Sequence, residues 1–134
     1  MEQQPDRQAP KTSRILIVDD EPDTRALMRA MLSASSTAWE ILEAAGGRQA
    51  VAIIPQLKPD LVLLDIIMPD MDGLGVLMEL KRHPATRNTR VVLVTARAEE
   101  RMVQSGLVMG AADYITKPFT QEQLVALVER LLPP

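Results

Sequence analysis

Leu61-Val62-Leu63-Leu64-Asp65-Ile66-Ile67-Met68-Pro69-Asp70-Met71-Asp72-Gly73 runs four apolar residues straight into a carboxylate, then into a loop punctuated by Pro and Gly. Four consecutive apolar residues without alternation predict a strand buried on both faces, as in a parallel sheet covered by helices. In such sheets ligands bind outside the carboxyl ends of the strands. Asp65 is therefore expected at a strand's end, facing whatever the rest of the chain brings there.

Working outward, Ile15-Leu16-Ile17-Val18 is a second unbroken apolar run, and it ends in Asp19-Asp20-Glu21. Pro22 suits the first turn of a helix and Asp23 its positive N-terminus, and Leu27, Ala30, Met31 and Ala34 repeat at helical spacing. Ser33 to Thr37 breaks that helix. Trp39 to Ala44 is a shorter strand; Gly46-Gly47 then opens a helix that Pro55 is expected to kink or end and Pro59 to close. Beyond Asp65, Leu74, Leu77 and Leu80 predict a helix that stops before Pro84. Arg90 to Thr95 is the fourth strand, Glu99 to Met109 a helix ended by Gly110, and Ala111 to Ile115 a short fifth strand followed by Thr116-Lys117-Pro118-Phe119. Thr120 and Gln123 form a capping box for the last helix, whose stripe is Leu124, Leu127, Val128 and Leu131. Five strands alternating with five helices through short connections mean βαβ units, hence an α/β fold with a doubly wound parallel sheet.

A chain of 134 residues with 46% hydrophobic residues fits one domain with a sizeable core. One Trp, one Tyr and one Phe make that core aliphatic, and the eight Met residues are ordinary filler. No Cys excludes disulfides and thiolate zinc sites. Met1 to Ser13 is polar and reads as a flexible tail, with the folded domain expected over residues 14–132. It has no signal-peptide core, and no apolar run is long enough to span a membrane, so a cytoplasmic protein is expected. Fifteen basic residues against eighteen acidic ones, with no dense basic cluster, leave little to hold a nucleic-acid backbone directly.

Asp19 and Asp20 end the first strand, Asp65 the third and Thr95 the fourth, and Lys117 follows the fifth; every strand but the second brings a polar group to one edge. Three carboxylates in contact would repel by roughly 4 kcal/mol per pair at an effective dielectric near 20, so something positive belongs among them. Lys117 offers one charge, and an all-oxygen cluster is the environment Mg²⁺ prefers. A nucleophilic carboxylate, a metal, an ammonium and a hydroxyl together suit phosphoryl transfer to Asp65, with Thr95 hydrogen-bonding a phosphoryl oxygen.

Val18-Asp19-Asp20-Glu21, the Asp65 to Gly73 segment, Thr95-Ala96 and Gly110-Ala111-Ala112-Asp113-Tyr114-Ile115-Thr116-Lys117-Pro118-Phe119 together resemble the receiver domain of two-component response regulators. The resemblance covers Arg14 to about Leu132, with four motifs in family order and spacing. It implies a flavodoxin-like strand order 2-1-3-4-5. It implies that Asp65 is the phosphoacceptor, supplied by the phosphohistidine of a sensor histidine kinase or phosphotransfer protein, or by a small phosphodonor. Asp20 and Asp65 would bind Mg²⁺ directly, Asp19 partly through water, and the backbone carbonyl of Ile67 would complete the protein ligands. The Lys117–Pro118 peptide would be cis. The Thr95 hydroxyl and the Tyr114 ring would form the switch, repacking the surface of the fourth helix, fifth strand and fifth helix that a downstream partner or output domain reads; a homodimer through that face is carried as an open expectation. Ile67 and Arg97 would flank the path of the hydrolytic water.

Each residue also has a plainer reading. Asp19, Asp20 and Glu21 suit a helix N-terminus, Asp70 and Asp72 suit a turn with Gly73 supplying backbone freedom, and His83, the one histidine, is expected at the surface. Gly73-Leu74-Gly75 begins a dinucleotide pattern that Met78 breaks. Two rival functions are weighed. A Mg²⁺-dependent aspartyl-phosphate phosphohydrolase usually has a second carboxylate two residues after the nucleophile, where this chain has Ile67. A phosphate-independent interaction module would not need the complete acidic set, Thr95 and Lys117. Beyond self-phosphorylation and self-dephosphorylation no enzymatic activity is expected. The last helix is followed at once by Pro133-Pro134, so a stand-alone receiver and a receiver cut from a longer regulator or hybrid kinase are both entertained, the polar start at Met1 favouring a natural N-terminus.

Overall fold

The computed structural model describes residues 12–133; of the tail expected over residues 1–13, all but Thr12 and Ser13 lie outside the described residues. The chain alternates β1 (Arg14–Val18), α1 (Pro22–Ser33), β2 (Glu40–Ala44), α2 (Gly47–Leu57), β3 (Leu61–Asp65), α3 (Gly73–Arg82), β4 (Arg90–Ala96), α4 (Glu100–Val108), β5 (Asp113–Lys117) and α5 (Gln121–Leu131), with a 3₁₀ turn at Arg97–Glu99 before α4. The strands form one parallel sheet in the order β2-β1-β3-β4-β5, as the resemblance implies. Among the described residues no helix is long and apolar enough to cross a membrane.

Alternate strand residues feed two cores. Leu16, Val18, Val62, Leu64, Val91 and Leu93 pack against α2, α3 and α4 through Ile54, Leu77 and Val103. Ile15, Ile17, Leu61, Leu63, Val92 and Val94 pack on the other face against Met28 and Leu32 of α1 and Leu124 and Val128 of α5. Every residue of β3 is buried, which is why its apolar run does not alternate. The α5 capping box forms as expected, with Thr120 Oγ1 accepting from the Gln123 N–H and Gln123 Oε1 from the Thr120 N–H.

Four expectations need correction. The buried face of α1 is Met28 and Leu32, with Met31 partly buried; Leu27 is 56% exposed, and Ala30 and Ala34 face solvent. Both sets satisfy helical spacing, and only docking against α5 separates them. Pro55 does not end α2, which runs on to Leu57. Its missing N–H falls in the last turn, and Lys58, with φ 49°, closes the helix through its N–H to the Ile54 carbonyl. β5 lies two residues later than expected. The Ala111 N–H is still tied to the Gly106 carbonyl of α4, and the ladder with β4 runs from Val92 opposite Asp113 to Ala96 opposite Lys117. Gly73 has no left-handed backbone; Gly110 alone among the described glycines has positive φ. What Gly73 supplies is space, since a Cβ there would stand 2.5 Å from the Asp65 carbonyl oxygen.

Candidate functional site

Val18 of β1 lies opposite Leu64 of β3, so Asp19 and Asp65 leave the sheet side by side, at the point where the strand order reverses. β5 reaches the same edge, and Lys117 is its last residue. Carboxylate oxygens of Asp19, Asp20 and Asp65 come within 4.8 Å of one another. The Lys117 ammonium stands 3.4 Å from Asp19 Oδ2 and 3.6 Å from Asp65 Oδ1. Asp19 and Asp65 are only 1% and 8% exposed, so their charges act on one another through protein rather than bulk water.

The turn carrying Asp19 is held from two directions. Asp19 Oδ1 accepts from the Glu21 N–H at 2.8 Å, and Arg25 of α1 donates to the Asp19 carbonyl at 2.6 Å while pairing with Glu43 of β2 at 2.9 Å. The loop after β3 is held as closely. The Ile66 N–H donates to the Val94 carbonyl at 3.1 Å and the Gly73 N–H to the Ile66 carbonyl at 2.6 Å. Between these walls lies an open cleft of about 480 Å³ lined by Asp20, Glu21, Asp65, Ile67, Met68, Pro69, Ala96, Glu99 and Lys117.

Burial above all, against the opposing pull of the Lys117 ammonium and with the added push of the Asp19 and Asp20 charges, leaves the Asp65 carboxyl raised to about 6. Asp65 is still mostly a carboxylate at pH 7, but it sits where negative charge is in excess. Three clustered carboxylates against one ammonium, all of them oxygen donors, fit a hard divalent cation.

The remaining candidates take distinct places. Thr95 is fully buried and its hydroxyl donates to the Ala96 carbonyl at 2.9 Å. The Tyr114 side chain is 40% exposed on β5. Ile67 is half exposed at the cleft, Arg97 is exposed, and the Lys117–Pro118 peptide is cis. His83 lies at the surface beside Glu79, and Asp72 caps α3 through the Gly75 N–H at 2.8 Å.

Sequence reasoning gave Asp70 a place in a turn and missed its second role as a cap for α2. Its carboxylate accepts from the Gly47 and Arg48 N–H groups that open α2, at 3.1 and 3.0 Å, and from the Met71 N–H at 2.9 Å. The signal was indirect: Gly46-Gly47 starts a helix without a capping side chain, so a cap from elsewhere was wanted. The Arg48 N–H above all, with those of Gly47 and Met71, holds the Asp70 carboxyl below its ordinary value of 3.8. A folded-state value below the unfolded one contributes stability above pH 3.8 that is lost as pH falls further. Asp70→Ala should therefore lower the urea midpoint at pH 7, with the gap to the parent closing in acid below pH 3.8. A gap independent of pH would mean the carboxylate is not what ties the loop to α2.

With this geometry in place, the comparisons with known proteins converge. The chain is 42% identical over 118 residues to the phosphate regulon transcriptional regulatory protein PhoB of Pseudomonas aeruginosa, covering 88% of this chain and 51% of that protein. It therefore spans about half the length of that relative. The signal receiver domain of a signal transduction histidine kinase from Syntrophus aciditrophicus superposes with a TM-score of 0.80 at 36% identity, covering 90% of each chain. The chemotaxis protein CheY4 of Vibrio cholerae gives 0.81 at 26% identity, covering 91% of this chain and 100% of that one. The response regulator receiver domain model matches residues 15–129, and with the sheet order and the acidic cleft this establishes that the chain belongs to the receiver domain family of two-component response regulators.

Proposed function

We propose that this chain is a phosphorylation-controlled signalling switch in which Asp65 accepts a phosphoryl group from the phosphohistidine of a sensor histidine kinase or a phosphotransfer protein. The observation that carries this reading is the convergence of Asp19, Asp20 and Asp65 within 4.8 Å, with Lys117 reaching two of them, at the mouth of an open cleft. A carboxylate oxygen of Asp65 attacks phosphorus; the new P–O bond forms as the bond to the donor breaks, and the leaving group departs with that electron pair. Lys117 stands where it offsets charge on the transferred oxygens. Receiver domains bind Mg²⁺ at an acidic pocket, and here Asp19, Asp20, Asp65 and the Ile67 carbonyl are the groups that would hold it. Bound there, it would supply positive charge for the phosphoryl oxygens. Water attack on phosphorus later releases phosphate and restores Asp65.

The output follows from the hydrogen bond that Thr95 makes now. Its hydroxyl is spent on the Ala96 carbonyl, and turning it to a phosphoryl oxygen biases the packing of β4 and β5, with Tyr114 moving inward from its exposed place. The surface of α4, β5 and α5 then presents a changed face to a downstream partner or output domain. PhoB is a transcriptional regulatory protein by name, and any DNA contact in this system is assigned to such an output rather than to this chain. We place the protein in the cytoplasm, where its kinase would meet it, and assign it no turnover beyond its own phosphorylation and dephosphorylation.

Incubation with acetyl phosphate and Mg²⁺ tests the reading directly. Intact mass should rise by one phosphoryl group, and chelator should suppress the rise; sustained phosphate release from a monoester substrate would instead favour a hydrolase. The lifetime of the adduct tests the cleft wall. Ile67 presents an apolar side chain where a polar one could orient water, so Ile67→Asn should lose its phosphoryl group several-fold faster than the parent. Equal decay in a chase after donor removal would show that this side chain does not govern water access.

A further inference from the structure

The end of β4 carries two hydrogen-bonding groups, the buried Thr95 hydroxyl and the N–H of cleft-lining Ala96, and both are engaged. The Thr95 hydroxyl donates to the Ala96 carbonyl, and the Ala96 N–H donates to Glu99 Oε1 at 3.3 Å. Glu99 closes the 3₁₀ turn Arg97–Glu99 and lines the cleft together with Asp65, Ala96 and Lys117. A carboxylate resting on a backbone N–H in a cleft that an ammonium also lines holds a place that another oxyanion could use equally well.

We propose that Glu99 is a resident anion of this site, which an incoming phosphoryl group must displace to reach the Ala96 N–H, so that Glu99 sets how readily the cleft accepts a phosphodonor. The inference rests on the reading of Asp65 as phosphoacceptor. Three observations support it. The hydrogen bond is long for one to an ionised acceptor, where about 2.7–2.9 Å is usual, so it is weak enough to be exchanged. Glu99 is only partly buried at the start of a helix, so its carboxylate can turn to solvent and be hydrated there, while the incoming phosphoryl oxygen takes over the Ala96 N–H. The charge balance is already unfavourable to an anion, since Asp19, Asp20, Glu21, Asp65 and Glu99 surround or line a cleft in which Lys117 is the cation among the lining residues. Glu99 opposes the phosphodonor in two separable ways, by holding the N–H and by adding negative charge. The same contact keeps Ala96, and through its carbonyl the Thr95 hydroxyl, in the arrangement found before phosphorylation. Glu99 acts here as a positioning residue, through Ala96.

The two effects are read from initial rates of adduct formation with acetyl phosphate and Mg²⁺ in the parent, Glu99→Gln and Glu99→Ala. Removing both a weak hydrogen bond and a charge should make Glu99→Ala about five- to tenfold faster than the parent. Glu99→Gln keeps an oxygen acceptor for the Ala96 N–H and drops only the charge, so it should show part of that gain. That part should fade in 1 M salt, where the Debye length falls to about 3 Å, while the advantage of Glu99→Ala over Glu99→Gln persists. A merely structural role for the cap would not produce this split. If Glu99→Ala melts below the parent, Glu99→Gln decides alone. Variants at or below the parent's rate, in a parent that forms the adduct, would overturn the proposal by itself; a parent that takes up no phosphoryl group would overturn the acceptor reading and this inference with it.

Discussion

Asp65→Asn should show no rise in intact mass after incubation with acetyl phosphate and Mg²⁺, and it should remain folded and be more stable than the parent in the presence of chelator. The loss should be complete because an amide oxygen is not the nucleophile that a carboxylate is, and of the other carboxylates around the cleft only Asp19 shares its contact with the Lys117 ammonium. Asp19 is nearer Lys117 than Asp65 is, but its Oδ1 is held by the Glu21 N–H and it is 1% exposed. The gain in stability comes from the same geometry. Asp65 is buried against two carboxylates and one ammonium at 3.6 Å, so a neutral isostere removes more repulsion than attraction. Removing a like-charge contact of this kind is worth about 1 to 4 kcal/mol between the limits of bulk water and a dielectric near 20. Adding Mg²⁺ should narrow the difference, because the parent then gains a cation that the variant holds less well. Urea titrations of both proteins with and without the metal would show this crossing of effects. A variant still phosphorylated at the parent's rate would move the acceptor elsewhere, and one destabilised in chelator would mean that Asp65 contributes to the fold more than it strains it.

How far the sequence could be read depended on which force decided each feature. β1, β3 and β4 were legible because a strand buried on both faces can be little else than an unbroken apolar run bounded by polar residues, and those runs end at Asp19, Asp65 and Thr95. The gathering of Asp19, Asp20, Asp65 and Lys117 was legible for the same reason, since the ends of parallel strands share an edge. The strand order was not in the periodicity at all and came from the resemblance. The face of α1 was misread because Leu27 and Met28 are adjacent and each heads a helical stripe; tertiary docking chose Met28. The register of β5 was set by β4, whose ladder extends to Ala96, and no local signal in Ala111 to Lys117 could announce it. The capping role of Asp70 and the contact of Glu99 with Ala96 were not legible because their partners are backbone N–H groups, which carry no mark in the sequence.

The same distinction decides between two glycines of α3. A methyl group at Gly73 would meet the Asp65 carbonyl oxygen at 2.5 Å and the Ile66 Cα at 2.9 Å, both backbone, while one at Gly75 would meet first the Met71 Cγ at 3.2 Å, on a flexible side chain. Backbone cannot rotate aside. Gly73→Ala must push the start of α3 away from the end of β3 and stretch the 2.6 Å hydrogen bond from the Gly73 N–H to the Ile66 carbonyl. Overpacking of this kind costs about 1–3 kcal/mol. It should also slow phosphorylation by ten-fold or more, because displacements of about an ångström at a reacting group carry losses of that order. Gly75→Ala should leave the phosphorylation rate unchanged and alter stability by no more than about 1 kcal/mol, with helix propensity working in its favour. Urea midpoints and adduct-formation rates for both variants measure the contrast. Equal behaviour of the two would mean that the loop between Asp65 and Gly73 yields easily, and the carbonyl behind the phosphoacceptor would then not be what demands a glycine there.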